Sequence, residues 1–390
     1  MQLPLFFAIV LQFVDIMKIA INARFTGYQN GEGYARFTKG IFTQMVSDFG
    51  EDEYVFLFDR KHPEPFLHSL NASFLGKGPA ARHPILWKYW YDVVLPRMVK
   101  KLNADCLFSP DGFCSLYCSV PQVLAIHDLA FLHYPQGISR FYQQYYSYFT
   151  PKFIAAAAQI VTVSEFSKED IIRHYPEAKN KISVIYNAAD QKFAPVDENE
   201  KQKCKERITE GKEFFLYAGS IHPRKNLVNL LKGFSWFKKR HQSNMKLILA
   251  GRMAWKNDSF TAQLATYKYR DDVILTGFIP DDQLRLLMAS AYALVYPSHW
   301  EGFGIPVLEA MQSGTPVIAS NNSAIPEIAD GGALLTEPGD AEGWGRGMGL
   351  IYKDETYRNT LIRNGQQRAA FFSWKNSAAN LHEVMVKAVT

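Results

Sequence analysis

The chain has 390 residues, of which 47% are hydrophobic and 21% charged, with a formal net charge of +5. That balance excludes a disordered chain, and the length suits two domains better than a single core. The mild positive charge suits anionic ligands or an anionic membrane face without demanding either, and gives no reason to expect nucleic acid.

Residues 3–14 are apolar apart from Gln12. The run is too short to span a bilayer and lacks the basic flank of a signal peptide. Residues 1–16 therefore read as an extension ahead of a natural start at Met17, with a membrane-dipping anchor as the alternative. Strands are expected at 18–23, 54–58, 106–109, 123–127, 160–164 and 182–187, with helical patterns at 34–49, 142–158 and 168–174. Pro195 and a run of acidic and amide residues mark a join near 193–203. A polar helix follows within 197–211. Further strands are expected at 214–218, 246–251, 273–277, 293–297, 316–319 and 333–335. Helices are expected at 227–239, 281–289, 306–313, 341–352, 355–370 and 374–389. Short buried strands alternating with helices imply two parallel sheets covered on both faces. The four cysteines, Cys106, Cys114, Cys118 and Cys204, show no zinc-ribbon, Cys-x-x-Cys or disulfide-framework spacing, so buried free thiols in a reducing compartment are expected, with a metal site at Cys114 and Cys118 as the lesser alternative.

Open α/β sheets bind ligands beyond the carboxyl ends of their strands, and several marked segments fall there. The strand at 293–297 runs into Ser298-His299-Trp300-Glu301-Gly302-Phe303-Gly304, and Glu309 lies in the helix that follows. Backbone N–H groups at a helix N-terminus attract phosphate, and a carboxylate one or two turns in can accept bonds from sugar hydroxyls. Two incidental glutamates at an ordinary joint are the bland alternative. The strand at 214–218 leads through Gly219 to Arg224 and Lys225, a cation pair suited to a diphosphate; a solvated basic turn is its bland counterpart. Gly27, Gly31 and Gly33 follow the first strand and allow close backbone approach. His127-Asp128 ends a buried strand, where a lone histidine is more often structural. Ser164 is a helix-cap candidate, and Asn187 lies near the join.

The segment from Ser298 to Ala310 resembles the E-x7-E signature of the retaining, family-4 type (group 1) glycosyltransferases of GT-B fold. The resemblance covers the chain from Met17 onward, most tightly 217–226 and 296–327. It implies two Rossmann-like domains facing across a cleft: an acceptor domain at 1–195, a nucleotide-sugar domain at 196–372 and a C-terminal helix at 373–390 crossing back to the first. It implies catalytic roles for His127, Arg224, Lys225 and Glu301. The donor would be held by Gly31, Gly33, Gly219, Arg224, Lys225, Phe278, Gly302, Phe303, Gly304, Ile305 and Glu309. Glu309 would take the ribose hydroxyls, the 277–280 segment would lie beside the base, and Glu301 would face the transferred sugar. Ser220 departs from the family pattern, which often carries an arginine there; Arg224 is the substitute.

No Asp-x-Asp motif appears, so no metal and no obligatory cofactor are expected. The segments His127-Asp128-Leu129, Pro223-Arg224-Lys225-Asn226 and Ser323-Ala324-Ile325-Pro326-Glu327 look most like mannosyltransferase members, favouring GDP-mannose with UDP-sugars next. The acceptor would be a glycan or a lipid-linked oligosaccharide. A cytoplasmic enzyme is expected, with peripheral contact at the inner face of the plasma membrane as an option. The aromatic and cationic stretch 82–101 could serve that contact or pack in the core. A GT-B sugar-nucleotide epimerase and a non-catalytic scaffold are the rivals; a dehydrogenase is disfavoured because no full Gly-x-Gly-x-x-Gly follows the first strand.

Overall fold

The computed structural model describes residues 16–26, 33–61, 64–81, 83–253 and 258–390. The apolar segment before Ile16, together with Gly27 and Gly31, lies outside the described residues. Strands β1 (Lys18–Asn22), β2 (Glu53–Phe58), β3 (Ala72–Gly76), β4 (Cys106–Ser109), β5 (Gln122–Ala125), β6 (Gln159–Thr162) and β7 (Ile182–Val184) form a parallel sheet in the order 3-2-1-4-5-6-7. Strands β8 (Phe214–Ala218), β9 (Lys246–Ala250), β10 (Val273–Gly277), β11 (Ala293–Tyr296), β12 (Val317–Ser320) and β13 (Ala333–Thr336) form a second, in the order 10-9-8-11-12-13. The strand order reverses between β1 and β4 and between β8 and β11, and a crevice opens at each such switch point.

The pairing is parallel because helices carry the chain back across the sheet, and most strands are apolar throughout because both faces are then covered. Phe214-Phe215-Leu216-Tyr217-Ala218 is buried along its whole length, as a strand with helices on both faces must be. The edge strand β3 went unforeseen. Its residues alternate between half-buried and exposed, so it lacks the continuous apolar run that marks its neighbours. The stretch Pro84–Tyr89, Trp90–Val94, Leu95–Leu102 is helical, with one π-turn in the middle. Trp90 and Tyr91 point into the core, where Trp90 Nε1 donates to Asn22 Oδ1 at 3.2 Å. Its aromatic face is therefore a packing face, while Ile85 and Tyr89 stay exposed.

Five helices position the cleft: α1 (Gly33–Asp48), α2 (Glu165–His174), α3 (Asp281–Ser290), α4 (Ile305–Gln312) and α5 (Trp374–Val389). Helix α5 follows the second sheet in sequence yet lies on the first, as expected of a GT-B chain. Its Trp374 meets Phe37 of α1 edge-on at 6.2 Å, and Ser377 Oγ donates to the Tyr186 carbonyl at 2.6 Å. His382 stacks on Phe49 at 3.8 Å and bonds Asp52 at 2.8 Å. Among the described residues no helix is long and apolar enough to cross a membrane.

Candidate active site

The loop after β11 carries the densest charge cluster. Glu301 Oε1 accepts from Lys225 Nζ and from the Tyr296 hydroxyl, the latter at 3.0 Å, while Oε2 lies 3.3 Å from Arg224 Nη1. Lys225 also donates to Tyr296 at 2.8 Å, and Arg224 donates to the Trp300 carbonyl. Both Lys225 and Glu301 are buried. Burial alone would raise the Glu301 carboxyl, but Lys225 and Arg224 outweigh it and hold it at about 2. Lys225 moves the other way. Burial lowers it, Glu301 pulls it back, and Arg224 adds repulsion, leaving it at about 8. The two shifts agree once the charges are counted: two cations share one carboxylate, and the surplus positive charge falls on the more easily deprotonated lysine.

Glycine is required where this loop crosses the cleft. A Cβ at Gly302 would lie 2.5 Å from the His127 carbonyl oxygen and 2.9 Å from Asp128 Cβ. Gly304, the residue just before α4, sits at φ +107°, a conformation costly for other residues. The Gly302 carbonyl accepts from Ser164 Oγ at 2.7 Å and Ser167 Oγ at 3.2 Å, both on the first domain. Ser164 thus caps α2 through Ser167 N at 3.1 Å, as its sequence position suggests, and also docks the second domain. Glu327 completes the junction. Its two oxygens accept from Glu165 N and Phe166 N, each at 2.9 Å, and from Tyr186 at 3.0 Å. A carboxylate from one domain therefore sits on the helix N-terminus of the other, where the dipole favours negative charge.

His127 lies across the cleft, with Tyr34 and Phe37 edge-on at 4.8 and 5.0 Å. Burial pushes its imidazole down to about 4, so it is neutral at physiological pH. Its Nε2 is 3.0 Å from the Pro110 carbonyl. A carbonyl can only accept, so Nε2 holds the proton and Nδ1 remains an acceptor. Asp128 Oδ1 accepts from Ala130 N at 2.9 Å, which holds the turn that follows β5.

Glu309 is buried one turn into α4. Its Oε1 accepts from Arg36 Nη1 at 2.8 Å, and Arg36 Nη2 reaches Asp281 Oδ1 at 2.7 Å. Burial raises the Glu309 carboxyl to about 7, against the pull of Arg36. Gly219 continues from β8 at φ +142°, its N–H on the Ala250 carbonyl at 2.9 Å. Phe278 follows β10 with 56% of its surface exposed. Phe303 is buried, packed edge-on against Phe372 at 5.5 Å, so it can offer a ligand only its backbone. Ile305 and Gly33 open α4 and α1.

The structure thus brings Arg224, Lys225, Glu301 and Gly302 together and sets His127 beside them. Glu309 stands in a separate ion-pair group. Tyr296, Ser323, Arg36 and Glu327 were missed as site residues. Ser323 Oγ accepts from Glu301 N at 3.0 Å. Tyr296 ends an apolar run and reads as core; Arg36, three residues after Gly33, gives no signal of its own.

Comparison with known proteins agrees with this arrangement. The family model for glycosyl transferases group 1 matches residues 198–368, and that for glycosyltransferase family 4 matches residues 50–193. The O-antigen chain mannosyltransferase RfbU of Salmonella typhimurium is 31% identical over 268 residues, covering 67% of this chain and 69% of the relative. The chain belongs to the group 1 glycosyltransferases. A second relative of this glycosyltransferase, O-antigen chain mannosyltransferase B of Escherichia coli, is 30% identical over 256 residues, covering 65% of this chain and 67% of the relative. Among solved structures, Anabaena HepE in complex with UDP and glucose superimposes with a TM-score of 0.73 at 17% identity, covering 95% of this chain and 99% of that one. The two facing sheets are the GT-B architecture, and the enzyme is a hexosyltransferase.

Proposed function

We propose that this glycosyltransferase moves mannose from GDP-mannose, with retention of anomeric configuration, onto a glycan or lipid-linked acceptor in cell-surface polysaccharide synthesis. The buried Arg224–Lys225–Glu301 cluster carries the reading. Its surplus positive charge lies beside the first turn of α4, where a diphosphate would find both cations and backbone donors. Residues 196–372 take the donor, residues 1–195 the acceptor, and 373–390 tie the two.

In this mechanism Arg224 and Lys225 neutralise the leaving diphosphate as the glycosidic bond breaks. Glu301, held ionised by its two cations, accepts from a hydroxyl of the transferred sugar and steadies the oxocarbenium-like state. Three donors already sit on its oxygens and its charge is strongly stabilised, which argues against a covalent nucleophile while leaving a lone pair of Oε2 for the sugar hydroxyl. Attack comes from the leaving-group face, with a donor phosphate oxygen taking the acceptor proton. His127 Nδ1 accepts from the donor sugar or the acceptor, and Glu309 from the ribose. The O-antigen mannosyltransferase relatives support mannose. The likeness to HepE, solved with UDP and glucose, keeps a UDP-sugar as the second reading.

One surface favours a lipid-linked acceptor. Pro84, Ile85, Tyr89, Tyr117 and Phe141 line an open apolar groove of about 640 Å³ on the first domain, with the Lys88–Asp92 ion pair, 2.6 Å, on its wall. Such a surface also suits peripheral contact with a membrane from the cytoplasmic side.

Transfer from GDP-mannose, UDP-glucose and UDP-galactose to a lipid-linked oligosaccharide panel, with the anomeric configuration read by NMR, tests the proposal. GDP-mannose turnover with an α-linked product is expected. Full activity in both Lys225→Ala and Glu301→Ala would sink it.

A further inference from the structure

Arg36 has no part in the mechanism above, yet it makes an unusual contact. It projects from the first turn of α1, in the first domain, and joins two carboxylates of the second: Glu309 on α4 at 2.8 Å and Asp281 on α3 at 2.7 Å. Asp281 has a further cation, Lys192, at 3.1 Å. Lys192 also lies 3.7 Å from Asp190, so the charges facing Glu309 from neighbouring elements are Arg36, Asp281, Lys192 and Asp190.

A buried carboxylate with no partner gives up its charge rather than remain ionised out of water. Glu309 is buried, with only 3% of its side chain exposed, and the nearby Asp281 pushes in the same direction. Among the described residues, Arg36 is the cation in hydrogen-bonding contact with it. The guanidinium takes Oε1 alone, and a carboxylate offers two oxygens with about four acceptor positions, so capacity remains for a ligand's hydroxyls. A protonated Glu309 would present a donor where two ribose hydroxyls need an acceptor.

We infer that Arg36 is a positioning residue for the donor: by reaching across the cleft it keeps Glu309 ionised and oriented, so that ribose recognition on the second domain depends on closure against the first. This rests on the reading of Glu309 as the ribose acceptor. The donor would then meet a competent receptor only in the closed cleft, and an enzyme that opens would loosen its hold on the nucleotide product. Because Glu309 already titrates at about 7 with Arg36 in place, the device works near physiological pH.

Isothermal titration of the full chain with GDP and with UDP between pH 6 and pH 9 tests it, using native protein, Arg36→Gln, Arg36→Lys and Glu309→Gln. An opposite charge at this distance lowers a carboxylate by about 1–3 units, so its removal raises Glu309 by that much. The ratio of Arg36→Gln to native Kd should be about tenfold or more at pH 6 and fall toward unity at pH 9. The ratio cancels the titration of Lys225, which both proteins share. Arg36→Lys keeps the charge but not the fork to two carboxylates, so it should keep the native pH profile even where Kd rises at every pH. In a Glu309→Gln background, Arg36→Gln should add no pH dependence. A ratio that is flat with pH, or near unity throughout, overturns the inference and leaves Arg36 a structural brace. Glu309→Gln binding as tightly as native, or a native chain that binds neither nucleotide, overturns the donor reading beneath it instead. If Arg36→Gln does not fold, Arg36→Met, which also removes the charge, takes its place in the same pH-dependent ratio.

Discussion

Lys225→Ala removes one of the two cations on Glu301 and takes the cluster from one surplus positive charge to none. In the free protein Glu301 keeps Arg224 at 3.3 Å and Tyr296 at 3.0 Å. Breaking a buried ion pair costs about 3–5 kcal/mol, and the remaining partners place this case near the lower end, about 3 kcal/mol. Domains of this size lose about 2–4 °C per kcal/mol, so Tm should fall by about 6–12 °C. For the donor, one charged hydrogen bond to phosphate disappears, worth about 1.5–3 kcal/mol, which is about a 10- to 150-fold weaker Kd. Titration with a nucleoside diphosphate and with the matching nucleoside separates the two effects. The loss should fall on the diphosphate and leave the nucleoside's weak binding unchanged. Diphosphate binding within twofold of native would refute the reasoning, because a cluster that tolerates loss of its lysine is not the phosphate receptor.

The kcat/KM profile should be bell-shaped. Lys225 must be protonated, so activity falls as pH rises through about 8; Glu309 must be ionised, so activity falls as pH drops through about 7. Glu327→Gln weakens the cap that one domain places on the other. It should cost about 1–2 kcal/mol of domain docking, read as a several-fold drop in kcat/KM with little change in far-UV circular dichroism. Gly40→Ala puts a methyl into the indole of Trp374, so α5 must shift; a loss of about 1–3 kcal/mol by urea denaturation is expected.

Much of the fold was legible because its strands are short, apolar and flanked by turns. The spans 106–109, 214–218 and 273–277 match β4, β8 and β10, and 374–389 matches α5. The unseen pieces lack that signal: β3 is half exposed, and the helix Ile325–Ala329 is only five residues long. At the site, Lys225 and Glu301 were legible because each follows a buried strand within a Gly-containing loop. Their pairing was not, because 76 residues separate them and only the sheet order brings β8 beside β11. Arg36 and Glu309 are 273 residues apart and belong to different domains, so no local pattern could join them. Tyr296 and Ser323 look like core and turn; only the atoms around Glu301 give them a task.

The position of α5 also bears on the order in which the molecule can be finished. The first sheet is made first on the ribosome, but Phe37, Phe49 and Asp52 wait for Trp374 and His382 to cover them. Until the second domain has been synthesised, the first carries an open apolar face. Its own half of the cleft therefore matures last, and a ribosome that stalls late would leave a chain with one finished domain and one exposed to chaperones and proteases.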